Sequence, residues 1–177
     1  MTVIVRPIHT SELVAVGGLT VDAYAVDGFS GREDGYAHQL RDVATRAREA
    51  EVYVAELPES PGSIVGTVTF CPQGSPWCQL AQPDEGEFRM LAVAPQARRR
   101  GVAEALVGAC VERAGELGYA AVVLSTLPEQ QTAHRLYERL GFRRAPELDW
   151  SPREEVDLVG YRLELARFAP AERRMRQ

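Results

Sequence analysis

Residues 90–105, MLAVAPQARRRGVAEA, decide the reading of this chain. Met90–Val93 is a short apolar run. Ala94-Pro95 marks a turn, Arg98, Arg99 and Arg100 are consecutive, and Gly101 precedes Val102, Ala103 and Glu104 at the start of a helical stretch. Strand, turn and helix in this order leave unpaired backbone N–H groups and the positive end of the helix dipole beside three arginines. A helix start of this kind favours an anion such as a phosphate. The segment therefore predicts a phosphate-bearing ligand.

The arginines themselves say less than their number suggests. The chain has no lysine and no asparagine, so all 20 basic residues are arginine. That is the mark of a compositional bias, and the backbone pattern carries the argument. The net charge is -5, a poor match for nucleic acid or an anionic membrane. The 177 residues suit one domain, predicted over 1–165, followed by an arginine-rich tail at 166–177. Three cysteines without CxxC spacing and three scattered histidines predict free thiols and no metal site. No apolar run resembles a signal peptide or a transmembrane span, so the expected location is cytoplasmic.

Outward from this segment, the hydrophobic pattern alternates strands and helices. Upstream, a strand is expected at 2–7 and helices at about 11–24 and 35–47, the second with Tyr36, Leu40 and Val43 on one face. Strands at 51–57 and 64–70 form a hairpin. A long loop, Pro72–Gly86, carries three prolines and Trp77, and the strand 87–93 follows. Downstream come a helix at 101–117, a nearly continuous apolar strand at 121–126, and a helix at 129–140 stopped by Gly141. Two final strands are expected at 142–145 and 156–165. The fold class is α/β, with a mixed, mostly antiparallel twisted sheet flanked by helices and a parallel crossover at 87–126.

Three segments then line up. Arg98-Arg99-Arg100-Gly101-Val102-Ala103 fits the pattern (Gln/Arg)-x-x-Gly-x-(Gly/Ala). Leu91-Ala92-Val93 is the strand leading to it. Ala133, Leu136-Tyr137 and Leu140-Gly141-Phe142 fit A-x-x-L-Y-x-x-x-G-F. In this order and separation the chain resembles the GNAT superfamily of acetyl-CoA-dependent N-acetyltransferases, from about Glu87 to Phe142. The first 60 residues match only in the order of their elements.

The resemblance implies a GNAT-like fold, acetyl-CoA as cosubstrate, and direct acetyl transfer to a primary amine with no acyl-enzyme. It implies that Arg98–Glu104 cradle the pyrophosphate, and that Leu91, Ala92 and Val93 lie along the pantetheine arm. Gln130 stands where the family often has an asparagine. Tyr137 matches the acid that protonates the departing thiolate. An alkyl amine has a pKa near 10 and must lose a proton before attack. Ser125 occupies the position where some members carry a glutamate, and it cannot replace one. Glu87 matches another placement of the base and is the expected one, with Asp84 and Glu85 as competitors. Phe29 and Tyr36, between the first helices, and Trp77 in the long loop are expected to line the acceptor site. Asp27 and Asp34 nearby would suit a cationic amine.

The expected partner is a small-molecule amine. Dimers are common in the family, which leaves a homodimer open. Three alternatives stay open beside this reading: a different acyl donor such as propionyl- or succinyl-CoA, a non-catalytic acyl-CoA-binding module, and a protein N-acetyltransferase.

Overall fold

A computed structural model gives the fold and describes residues 2–28 and 35–166. Phe29 and Asp34 lie outside the described residues, as does the tail from 167 onward. The chain runs β1 (Ile4–Pro7), α1 (Leu13–Val26), α2 (Gly35–Arg41), α3 (Val43–Glu49), β2 (Glu51–Glu56), β3 (Ile64–Cys71) and β4 (Glu85–Val93). It continues α4 (Val102–Glu116), β5 (Ala121–Thr126), α5 (Gln131–Arg139), β6 (Arg143–Arg144), β7 (Trp150–Arg153) and β8 (Val156–Glu164).

Two elements differ from expectation. The single helix expected over 35–47 is two. Asp42 leaves helical geometry (φ -77°, ψ 64°), and its carboxylate accepts the Thr45 N–H at 3.0 Å, starting α3 afresh. Aspartate favours this capping role over a place inside a helix. The strand β7, which contains Pro152, was not expected. It sits at an edge and pairs only with β8, where a missing N–H is tolerated.

The sheet order is β1-β2-β3-β4-β5-β8-β6. Strands β1 to β4 pair antiparallel, β4 and β5 pair parallel, and β5 and β8 pair antiparallel. Helices cover both faces. Along β2, Val52 and Val54 join a cluster with Val16 of α1 and Val43 of α3, while Tyr53 and Ala55 belong with α4. Helix α4 buries Val102, Leu106, Val107, Cys110 and Ala114, whereas Leu117, just past its last residue, is exposed. Gly66 on β3 allows the close approach. A Cβ there would lie 2.7 Å from Val102 Cγ1 and 3.0 Å from Leu106 Cδ1. This contact sets the first turn of α4 over the sheet.

Candidate active site

Strands β4 and β5 pair only from Glu85–Ala121 to Glu87–Val123 and then part. The cause lies on the other side of β4. Against β3, Thr69 faces Arg89 and Thr67 faces Ala92, so Val68 opposes both Met90 and Leu91. Met90 takes a positive φ of 55°. An extra residue of this kind bends its strand, and β4 turns away from β5. The gap is a cleft of about 850 Å³ that runs from Tyr24 and Arg89, past Tyr137 and Gln130, to the start of α4.

At the α4 end, Gly101 has φ +79° and precedes the helix, and Arg99 has φ +59°. A residue with a Cβ pays for that backbone conformation. A Cβ at Gly101 would meet no protein atom within 4 Å, so space lies open beside it. Val102, Ala103 and Glu104 line the cleft and form the first helical turn, whose N–H groups lack intrahelical partners. The three arginines do not act together. Arg98 forms a two-pronged ion pair with Asp27 at the end of α1, at 2.7 and 3.0 Å. Arg99 lines the cleft. Arg100 does not. It pairs with Glu59 and borders a separate hollow with Val3, Leu57 and Pro58. The expectation that Arg100 binds the cofactor is corrected on that ground.

In the middle of the cleft, Leu91, Ala92 and Val93 form one wall, and Ser125, Thr126 and Gln130 stand opposite. The Gln130 side-chain oxygen accepts from Thr126 Oγ1 and, at 3.0 Å, from the Leu127 N–H. Its carbonyl thus fixes the turn into α5, and its amide nitrogen is the group left for a ligand.

Tyr137 lines the cleft from α5 while its ring is buried against Phe88 (5.9 Å between centroids), Phe142 and Tyr161 (both 6.0 Å). Burial pushes its phenol up, so it stays protonated at neutral pH.

Glu87 is elsewhere. It is fully buried, and its Oε2 accepts the backbone N–H groups of Gln79, Leu80 and Ala81 at 2.7, 2.8 and 3.2 Å. It does not line the cleft. The geometry makes it the anchor of the long loop, and its place as general base is corrected accordingly. Glu85, a competitor, is also buried, ion-paired with Arg162 and bonded to the Gln82 N–H at 3.0 Å.

At the other end, Tyr24 and Arg89 line the cleft, but Tyr36 and Trp77 stand behind them. The Tyr24 and Tyr36 rings are 6.1 Å apart. Arg89 lies over the Trp77 ring at 5.9 Å and donates to the Trp77 carbonyl at 3.1 Å. Trp77 in turn donates from Nε1 to Glu49 at 2.8 Å. The sequence reading missed Tyr24 and Arg89. Arg89 carried a usable signal, because it stands two residues after Glu87 on the strand that leads into the anion site.

Among the described residues, no group of His, Cys, Asp or Glu could hold a metal ion. No helix among them is long and apolar enough to cross a membrane.

The fold matches that of known proteins. Over 96% of this chain and 98% of the other, the fold is that of the ribosomal-protein-S18-alanine N-acetyltransferase of Escherichia coli (TM-score 0.69, 18% identity). It also follows yncA of Salmonella typhimurium, solved with its cofactor acetyl-CoA (TM-score 0.66, 18% identity, 96% and 97% covered). In sequence, the chain is 38% identical over 95 residues to N-acetyltransferase 8 of Rattus norvegicus, covering 51% of this chain and 40% of that protein. The chain thus spans two fifths of the length of this curated relative. The model of the acetyltransferase (GNAT) family matches residues 20–142, more than half of the chain. The chain belongs to the acetyltransferase (GNAT) family.

Proposed function

We propose that this protein transfers an acetyl group from acetyl-CoA directly to the primary amine of a small molecule. The observation that carries the reading is the parting of β4 from β5 in line with the positive-φ glycine and the bare first turn of α4. Such a gap suits a chain that holds amides at one end and a diphosphate at the other. The residues present fit that group. Open space at Gly101 and the N–H groups of Val102–Glu104 suit the diphosphate. The cleft-facing edges of β4 and β5 suit the amides of the arm, as an exposed strand edge suits a peptide.

Acetyl-CoA supplies the activated acyl carbon. Backbone N–H groups at the Met90–Leu91 bulge stabilise negative charge on the carbonyl oxygen during attack. The amine nitrogen forms the new C–N bond as the C–S bond breaks. Tyr137 donates its phenolic proton to the leaving thiolate and recovers one from water. Among the described carboxylates that line the cleft, Asp27 pairs with Arg98 and Glu104 with Arg139 at the phosphate end, and Glu129 stands beside Gln130 at the turn into α5. We therefore assign the amine's proton to water rather than to a side chain among the described residues.

Calorimetric titration with acetyl-CoA tests the donor. The expected result is binding with a stoichiometry of one. At about 100 times Kd it stabilises the fold by about 2.7 kcal/mol, an increase in Tm of about 5–10 °C. Absence of binding at millimolar acetyl-CoA overturns the proposal. Release of free thiol across a panel of small amines then tests transfer.

A further inference from the structure

The end of the cleft away from α4 is cationic, the reverse of what a positively charged amine alone would call for. Arg89 lines it and is half-buried. Behind it lies Arg46 of α3, fully buried, with Nη1 donating to the carbonyls of Gln39 and Leu40 at 2.6 and 3.0 Å. Its Nε is buried without a hydrogen-bond partner. Among the described residues, neither guanidinium forms an ion pair with a carboxylate. Among the described residues, the acids at the two ends of α3 are engaged elsewhere. Asp42 caps α3 through the Thr45 N–H, and Glu49 takes the Trp77 indole. From the hairpin of β7 and β8, Arg153 adds a third positive charge that acts on Tyr36. Two phenols, Tyr24 and Tyr36, complete the group, and desolvation pushes both up, so neither supplies a negative charge at neutral pH.

Buried guanidinium charge without a counter-ion is costly. Arg89 is nonetheless held in place by the Trp77 carbonyl and ring. Its fork carries five donors, of which only part is used. A carboxylate fits such a fork in planar, two-pronged fashion. Arg89 also directly precedes Met90, where β4 leaves β5. An anion bound there holds a neighbouring amine at the mouth of the parted strands.

We propose that the acceptor carries a carboxylate beside its primary amine, as an amino acid does, and that Arg89 binds that carboxylate. The inference rests on the acetyl-transfer reading above and names the class of acceptor for it.

The test compares each α-amino acid with its carboxamide and its decarboxylated amine, using thiol release from acetyl-CoA. For the best acceptor, kcat/KM exceeds that of both uncharged counterparts by at least tenfold, or ~1.4 kcal/mol. In Arg89→Met this ratio falls toward one through a rise in KM for the carboxylate-bearing acceptor. Arg89→Lys restores part of it. Acetyl-CoA affinity, measured by calorimetry on each variant, reports that the fold and donor site survive. Loss of acetyl-CoA binding by the wild type overturns the donor reading instead. Acetyl-CoA binding with equal or better transfer to the uncharged amines overturns this proposal alone. So does binding with no transfer to any carboxylate-bearing amine, or a ratio unchanged in Arg89→Met.

Discussion

Replacing Glu87 by glutamine separates an anchor from a base. Glu87 Oε2 receives three backbone N–H groups, all from residues 79–81, and the side chain is fully buried. Hydrogen bonds to an ionised acceptor contribute about 1.5–3 kcal/mol, against about 0.5–1.5 for neutral pairs. Glu87→Gln keeps an acceptor of the same shape and gives up roughly 1 kcal/mol at each bond, about 3 kcal/mol together. The new amide nitrogen falls where Oε1 is now, a buried position with no hydrogen-bond partner among the described residues. That adds to the loss. For a chain of this length, each kcal/mol lowers Tm by about 2–4 °C, so a fall of about 6–12 °C is expected. Urea titration and calorimetry measure it, and the m-value should stay unchanged. Below the new Tm, the pH profile of kcat/KM should keep its shape. A variant with wild-type Tm and a lost acidic limb would refute the anchor argument and return Glu87 to the chemistry.

Gly101→Ala forces a side chain onto a φ of +79°, which costs about 1–2 kcal/mol for a residue with a Cβ. Calorimetry should find acetyl-CoA binding weaker by about tenfold, and unchanged Kd and Tm would sink the cradle assignment. Tyr137→Phe removes only the hydroxyl from a well-packed ring, so the fold and acetyl-CoA affinity should persist. Thiol release should fall by about 10²-fold or more if the phenol is the acid, and turnover within tenfold of wild type would remove that role. Arg6 holds the Glu12 carboxyl down to about 2 from its ordinary 4.5, through hydrogen bonds at 2.6 and 3.0 Å. A lowered folded-state pKa contributes stability that is full above about pH 4.5 and lost as pH falls toward 2. In Arg6→Met the slope of Tm against pH between 5 and 2 should be shallower, and an unchanged slope would contradict it.

The sequence carried the fold where a local rule governed it. Ala121–Thr126 reads as a buried strand because its apolar run is nearly continuous, and the structure returns those same bounds. Gly101 was legible because it stands at a helix start, where a residue without a Cβ lets a phosphate approach the backbone. The site was less legible where distant parts decide it. Nothing in GEFRMLAV says which face Glu87 takes, and loop 79–81 must fold back before its carboxylate has three donors. The bulge at Met90 leaves no sequence mark, since methionine is not a residue that asks for a positive φ. The direction of Arg100 depends on Glu59, distant in sequence in the turn between β2 and β3. The break at Asp42 was readable as a cap, but the spacing of Tyr36, Leu40 and Val43 runs through it and hides it.

The parting of β4 and β5 also bears on solubility. Open strand edges usually invite pairing with other chains and so aggregation. Here two such edges lie inside the sheet, yet they diverge, while a paired strand requires a constant spacing of about 4.8 Å on both sides. An intruding strand from another molecule can satisfy one edge only and leaves the other bare. The wedge thus admits a slender guest along both edges, whereas an intruding β-strand that pairs with one edge leaves the other unpaired at the centre of the molecule.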